Sequence, residues 1–67
     1  MVYLATWTSK QDVWAGWVAC ATRTEAQRQI EGLTMLGDKN LAILEVENLT
    51  GSFNPGTRMI YPLTAQR

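Results

Sequence analysis

The chain has 67 residues, with six basic and six acidic side chains, one cysteine and no histidine. A domain this small buries only about 60% of its unfolded surface and is marginal alone. Cys20 has no partner for an intrachain disulfide, and the lack of histidine argues against a zinc site, so self-association is the remaining route to added stability. Zero net charge argues against tight binding to duplex nucleic acid, which relies on Lys and Arg displacing counterions. No apolar run approaches the roughly 18 residues of a membrane span, so a soluble cytoplasmic protein without membrane attachment is the expectation.

Residues 2–8 and 13–20 are rich in Val, Trp, Tyr and Thr and read as the first two strands, joined through the turn-like Ser9-Lys10-Gln11-Asp12. A hairpin centred between Lys10 and Gln11 opposes residues whose numbers sum to 21. Trp7 then faces Trp14, and Trp17 lies opposite Leu4. Side chains alternate along a strand, so one face carries Val2, Leu4, Thr6, Val13, Ala15, Trp17 and Ala19, and the other Tyr3, Ala5, Trp7, Trp14, Gly16, Val18 and Cys20. A one-residue bulge would exchange part of one set for the other.

A helix is predicted over residues 24–36. Two overlapping capping boxes are available at its start, Thr22-x-x-Glu25 and Thr24-x-x-Gln27. Ala26, Ile30, Leu33 and Leu36 form a narrow apolar stripe, while Glu25, Arg28, Gln29 and Glu31 form the solvated side. Gly37 is suited to the C-terminal cap, and Gly32 costs about 1 kcal/mol within the helix. Residues 41–47 and 58–63 are the third and fourth strands, separated by a long connection containing Asn54-Pro55-Gly56. Pro62 cannot donate to a ladder, which puts the fourth strand at an edge. Residues 64–67 are expected to fray.

The order is that of an α+β fold: one small ββαββ domain spanning residues 1–67, with a mainly antiparallel four-stranded sheet and one helix on one face. We expect the helix to cover Val2, Leu4 and Trp17, leaving Tyr3, Trp7, Trp14 and Val18 uncovered. Exposed apolar patches of that kind mark partner or ligand sites.

The hairpin, Tyr3, Thr24-Glu25-Ala26, Ile30 and Gly32 distantly resemble, over about half the chain, the hybrid-binding domain at the N-terminus of some ribonucleases H. This hairpin lacks the basic residues that such nucleic-acid binders use, and that family's function is not carried over.

Nothing in the chain assembles into a catalytic motif. Without histidine the commonest general acid–base group is missing. Cys20 ends a strand and reads as a packed, inert thiol. Glu45 and Glu47 share a face of the third strand and read as a solvated end, since two carboxylates alone rarely hold a metal. We therefore expect no enzyme, no cofactor and no metal site. Tyr3, Trp7, Trp14, Val18 and Arg58 are the candidate interface or ligand-binding residues; Arg23 and Arg58 are candidate anion sites, and Arg28 also carries a guanidinium suited to phosphate.

The functional expectation is a small homo-oligomeric binding protein, of the kind encoded by phages or mobile elements and acting in the bacterial host cytoplasm. It would inhibit a host defence protein through the Trp-bearing sheet face. The alternative is an oligomer that sequesters a nucleotide-like signal by indole stacking and arginine–phosphate contacts. A weak single-stranded nucleic-acid binder comes third.

Overall fold

The computed structural model describes residues 1–63; the frayed tail expected at 64–67 lies outside them. Two strands, β1 (Val2–Thr8) and β2 (Trp14–Cys20), are followed by helix α1 (Arg23–Met35) and by strands β3 (Lys39–Val46) and β4 (Arg58–Pro62). The strands form one antiparallel sheet in the order β3-β1-β2-β4. The ββαββ α+β reading is what the molecule adopts, and the strand with Pro62 is at an edge.

The β1–β2 hairpin is two residues out of the register expected for it. Opposed residues sum to 23: Tyr3 faces Cys20, Ala5 faces Val18 and Trp7 faces Gly16. The cause is the turn. Ser9 Oγ accepts from both the Val13 and Trp14 amides at 3.0 and 2.9 Å, and Ser9 N–H donates to the Trp14 carbonyl at 2.7 Å. Asp12 takes φ 60°, a left-handed conformation that Asp tolerates better than most residues. Val13 is thereby drawn into the turn, and Trp14 has no cross-strand Trp7 partner. A shift of two residues preserves which side chains share a face, so the two face sets stand except for Val13, which leaves the first set for the turn.

The helix covers the opposite face from the one expected. Ala5, Cys20 and Ala26 form the buried cluster beneath α1, with Tyr3, Val18, Ile30 and Ile43 packed around it. Ala5 and Ala26 are both fully buried, so two methyl groups set the close approach of helix to sheet. Val2, Leu4 and Trp17 lie on the far side. There the β3–β4 connection provides cover, with the Phe53 ring edge-on to Trp17 at a centroid distance of 5.3 Å.

Both ends of α1 follow from sequence. Thr22 is the N-cap, and the first of the two capping boxes forms: Thr22 Oγ1 accepts from Glu25 N–H at 3.2 Å, and Glu25 Oε1 accepts from Thr22 N–H at 3.2 Å. At the other end Asp38 N–H donates to the Leu33 carbonyl and Gly37 N–H to that of Thr34, with Gly37 at φ 90°. This is the Schellman arrangement, and only glycine enters it without a Cβ penalty. Leu36, expected on the buried stripe, is the C-cap and is largely exposed.

Seven apolar residues are buried among those described, and four of them are alanine (Ala5, Ala15, Ala19, Ala26). Alanine removes little apolar area from water, so this core contributes correspondingly little hydrophobic stabilisation. Among the described residues no helix is long and apolar enough to cross a membrane.

Candidate functional site

Helix α1 lies over β1, β2 and β3 and makes no comparable contact with β4. The region between the helix and β4 is therefore an open cleft of about 440 Å³. Arg28 and Arg58 line it together, with Leu33, Met35 and Leu36 supplying an aliphatic wall. Arg28 reaches the cleft from the helix. Arg58 stands opposite Val18 at the start of β4, on the face that α1 occupies. Among the described residues neither guanidinium is in an ion pair. Two arginines beside an apolar wall can take an anion that carries an apolar body.

Arg23 is engaged elsewhere. Its Nη2 donates to Glu45 Oε2 at 2.7 Å, and its guanidinium lies over the Tyr3 ring, 5.3 Å from the centroid. Glu45 opposes Tyr3 across β1–β3, so Arg23, Glu45 and Tyr3 form one local cluster. An anion approaching Arg23 competes with its carboxylate partner. A second shallow depression, of about 420 Å³, includes Arg23, Arg28 and Glu31; the occupied Arg23 and the added acid make it the poorer anion site.

The expected uncovered face is thus distributed differently. Tyr3 and Val18 are half-buried against the helix cluster. Trp7 packs over Gly16, where an added Cβ would lie 2.8 Å from Trp7 Cζ2 and 2.5 Å from the Met59 carbonyl oxygen. Trp17 is half-buried against Phe53. Only Trp14 of the three indoles is exposed, at 47%. The structure brings Trp14 beside Pro62 on β4 and does not join it to Trp7.

The connection preceding Arg58 is fastened by hydrogen bonds. Asn48 Oδ1 accepts from Phe53 N–H at 2.9 Å, and its Nδ2 donates to the Phe53 carbonyl at 3.1 Å. Gly56 N–H donates to the Ala19 carbonyl, and Ala19 N–H to that of Thr57. These bonds continue the β2–β4 ladder into the loop.

Cys20 is buried beneath α1. Burial, with the nearby Glu25 carboxylate adding to it, pushes its thiol up from the ordinary value. A protonated, covered thiol is a poor nucleophile. Among the described residues no three His, Cys, Asp or Glu side chains gather in a way that could hold a metal.

Sequence reasoning missed a run of exposed apolar side chains beside this site. Met59, Ile60 and Tyr61 are 52%, 51% and 43% exposed at consecutive positions of β4, and Val13 and Leu63 are exposed nearby. The signal was present: a strand that Pro62 marks as an edge should alternate apolar and polar, and Met59-Ile60-Tyr61 does not. Comparison of the chain with family models, curated proteins and solved structures finds no match.

Proposed function

We propose that this chain is a small non-catalytic binding protein that works as a homo-oligomer and holds another protein through the apolar surface around β4. The observation supporting this reading is that β4 projects large apolar side chains from both sheet faces, Met59 and Tyr61 on one and Ile60 on the other, beside the exposed Trp14. Contiguous apolar exposure is uncommon on monomers and marks interaction sites. Trp, Tyr and Met are enriched in the cores of such interfaces. The alanine-rich core favours the same reading, because a chain with little buried area gains most from association. Inhibition of a host protein by occupying its surface is the activity this chemistry suits, and it needs no catalytic group.

Sedimentation across low to high micromolar concentration tests the first half. Oligomers are expected, and a monomer throughout that range would remove the proposal. For the second half, Trp14→Ala should release a co-purifying target while the oligomer and its circular dichroism spectrum are retained. A target held equally well by that variant would take Trp14 out of the site.

One observation favours a second reading. The Arg28–Arg58 cleft suits a nucleotide-like anion, with phosphate on the guanidinium groups and its apolar part on Leu33 and Leu36. A nucleotide panel should then raise the melting temperature by mass action, and Arg58→Gln should abolish the rise. No shift at millimolar nucleotide would dispose of this reading.

A further inference from the structure

The backbone of β4 specifies how a second copy would bind. Leu63 N–H donates to the Val13 carbonyl at 2.8 Å, and Ala19 N–H donates to the Thr57 carbonyl at 2.7 Å. Backbone groups alternate in direction along an antiparallel strand, so the odd-numbered residues of β4 bond to β2. Arg58, Ile60 and Pro62 turn their backbone groups outward. Pro62, which has no N–H, sits at an outward position and forfeits no bond to β2. The free edge thus offers the N–H groups of Arg58 and Ile60 and the carbonyls of Arg58, Ile60 and Pro62.

We propose that two copies of this chain join through their β4 edges, antiparallel and with Ile60 on the two-fold axis, merging their sheets into one. This rests on the self-association reading above and specifies its geometry. In this register Ile60 N–H donates to the carbonyl of the partner's Ile60, and Arg58 N–H donates to the carbonyl of the partner's Pro62. Every outward donor of β4 is used. The side chains agree with the backbone: Ile60 meets the partner's Ile60 on the helix face, and Met59 meets the partner's Tyr61 on the other. Opposed apolar and aromatic pairs stabilise a ladder. A two-fold contact of this type is isologous and closes on itself.

Neighbouring registers are poorer. An axis on Met59 sets Ile60 against the partner's Arg58 and Tyr61 against the partner's Thr57. An axis on Tyr61 carries Arg58 N–H past the end of the partner's strand. An axis on Arg58 opposes two guanidinium groups. The other edge, β3, exposes Leu44 but carries charge at both ends. Lys39 Nζ is 2.6 Å from Asp12 Oδ2, Glu45 is held by Arg23, and Asn40 at φ 56° accompanies a register irregularity between Thr6 and Thr8. Charged residues and bulges are devices that prevent edge pairing.

Cysteine cross-linking reads the register directly. Opposed residues of a hydrogen-bonded antiparallel pair have Cα atoms about 5.5 Å apart, within disulfide reach. Under mild oxidation Ile60→Cys should give a covalent dimer. Met59→Cys and Tyr61→Cys should each stay monomeric on a denaturing gel, while an equimolar mixture of the two cross-links. The wild-type chain, whose only thiol is the buried Cys20, is the blank. Circular dichroism of each variant verifies the fold. If Met59→Cys or Tyr61→Cys cross-links with itself instead, the axis is misplaced and the proposal falls. If the wild type sediments as an oligomer but Ile60→Cys gives no covalent dimer, β4 pairing falls while self-association stands. A wild-type monomer at high micromolar concentration overturns both.

Discussion

The two edges of this sheet are built to opposite specifications. β3 is tied down at both ends by ion pairs, Lys39 to Asp12 in the hairpin turn and Glu45 to Arg23 at the start of the helix, and α1 packs against it. β4 has no ion pair among the described residues, no helix over it, and every one of its five residues exposed. An open edge with apolar side chains on both faces invites another strand, whereas charge and irregular backbone repel one. The two edges therefore differ in pattern: β3 carries paired charges at both ends, whereas β4 exposes Met59, Ile60 and Tyr61 at consecutive positions.

The two edges should respond most differently to a substitution at Gly16. A methyl there meets the Met59 carbonyl and the Trp7 ring at closer than van der Waals contact, and the former is backbone that yields only if β4 moves. Gly16→Ala should destabilise the fold by about 1–3 kcal/mol, the usual cost of overpacking. Urea unfolding measures that loss. Hydrogen exchange should show the β4 amides losing protection while β3 keeps its own; equal loss at both edges would mean that they are not independent.

Thr22→Ala acts on the other side. It removes the cap of the helix that covers β1 and β3, at a cost of about 1 kcal/mol, and should speed exchange in α1 ahead of β4. Smaller still is the ion pair itself. Arg23 and Glu45 are each about half exposed, so Glu45→Gln should cost no more than about 0.5 kcal/mol. The guard on β3 therefore opposes association more than it stabilises the subunit. Replacing Lys39 and Glu45 together by Val should produce larger assemblies by light scattering with little change in unfolding midpoint.

The least effect is expected from Cys20. Its folded-state thiol is raised by burial first and by Glu25 second. The unfolded chain therefore releases this proton at lower pH than the folded one. The associated stability is fully present below the unfolded thiol's range and is lost as pH climbs through the folded value. Unfolding midpoints above neutral pH should decline slightly in the wild type and less in Cys20→Ala. Identical slopes would show that the thiol makes no contribution.

Much of the architecture was legible in local patterns. The overlapping boxes at Thr22 and Thr24 bracketed the start of the helix and Gly37 marked its end, because capping needs only residues within a few positions of one another; the structure uses the first box. Pro62 announced an edge because a missing N–H cannot serve a central strand. The candidate site was less legible. Arg58 was identifiable as a strand-initiating cation, but its companion Arg28 joins it only through the placement of α1 beside β4. Arg23 was also a candidate until Glu45, 22 positions away, closed on it.

Element order, the glycine cap that ends the helix and, Val13 apart, which side chains share a strand face all follow from the sequence, since each depends on backbone chemistry or on a period of two. Tertiary structure decided the rest. The Ser9 and Asp12 turn moved the hairpin register by two residues, separating Trp7 from Trp14. The fit of Ala26 onto Ala5 chose the face on which the helix lies. Face assignment survives a two-residue slip, whereas partner identity does not, and no local signal says which side of a two-sided apolar hairpin a single helix will take.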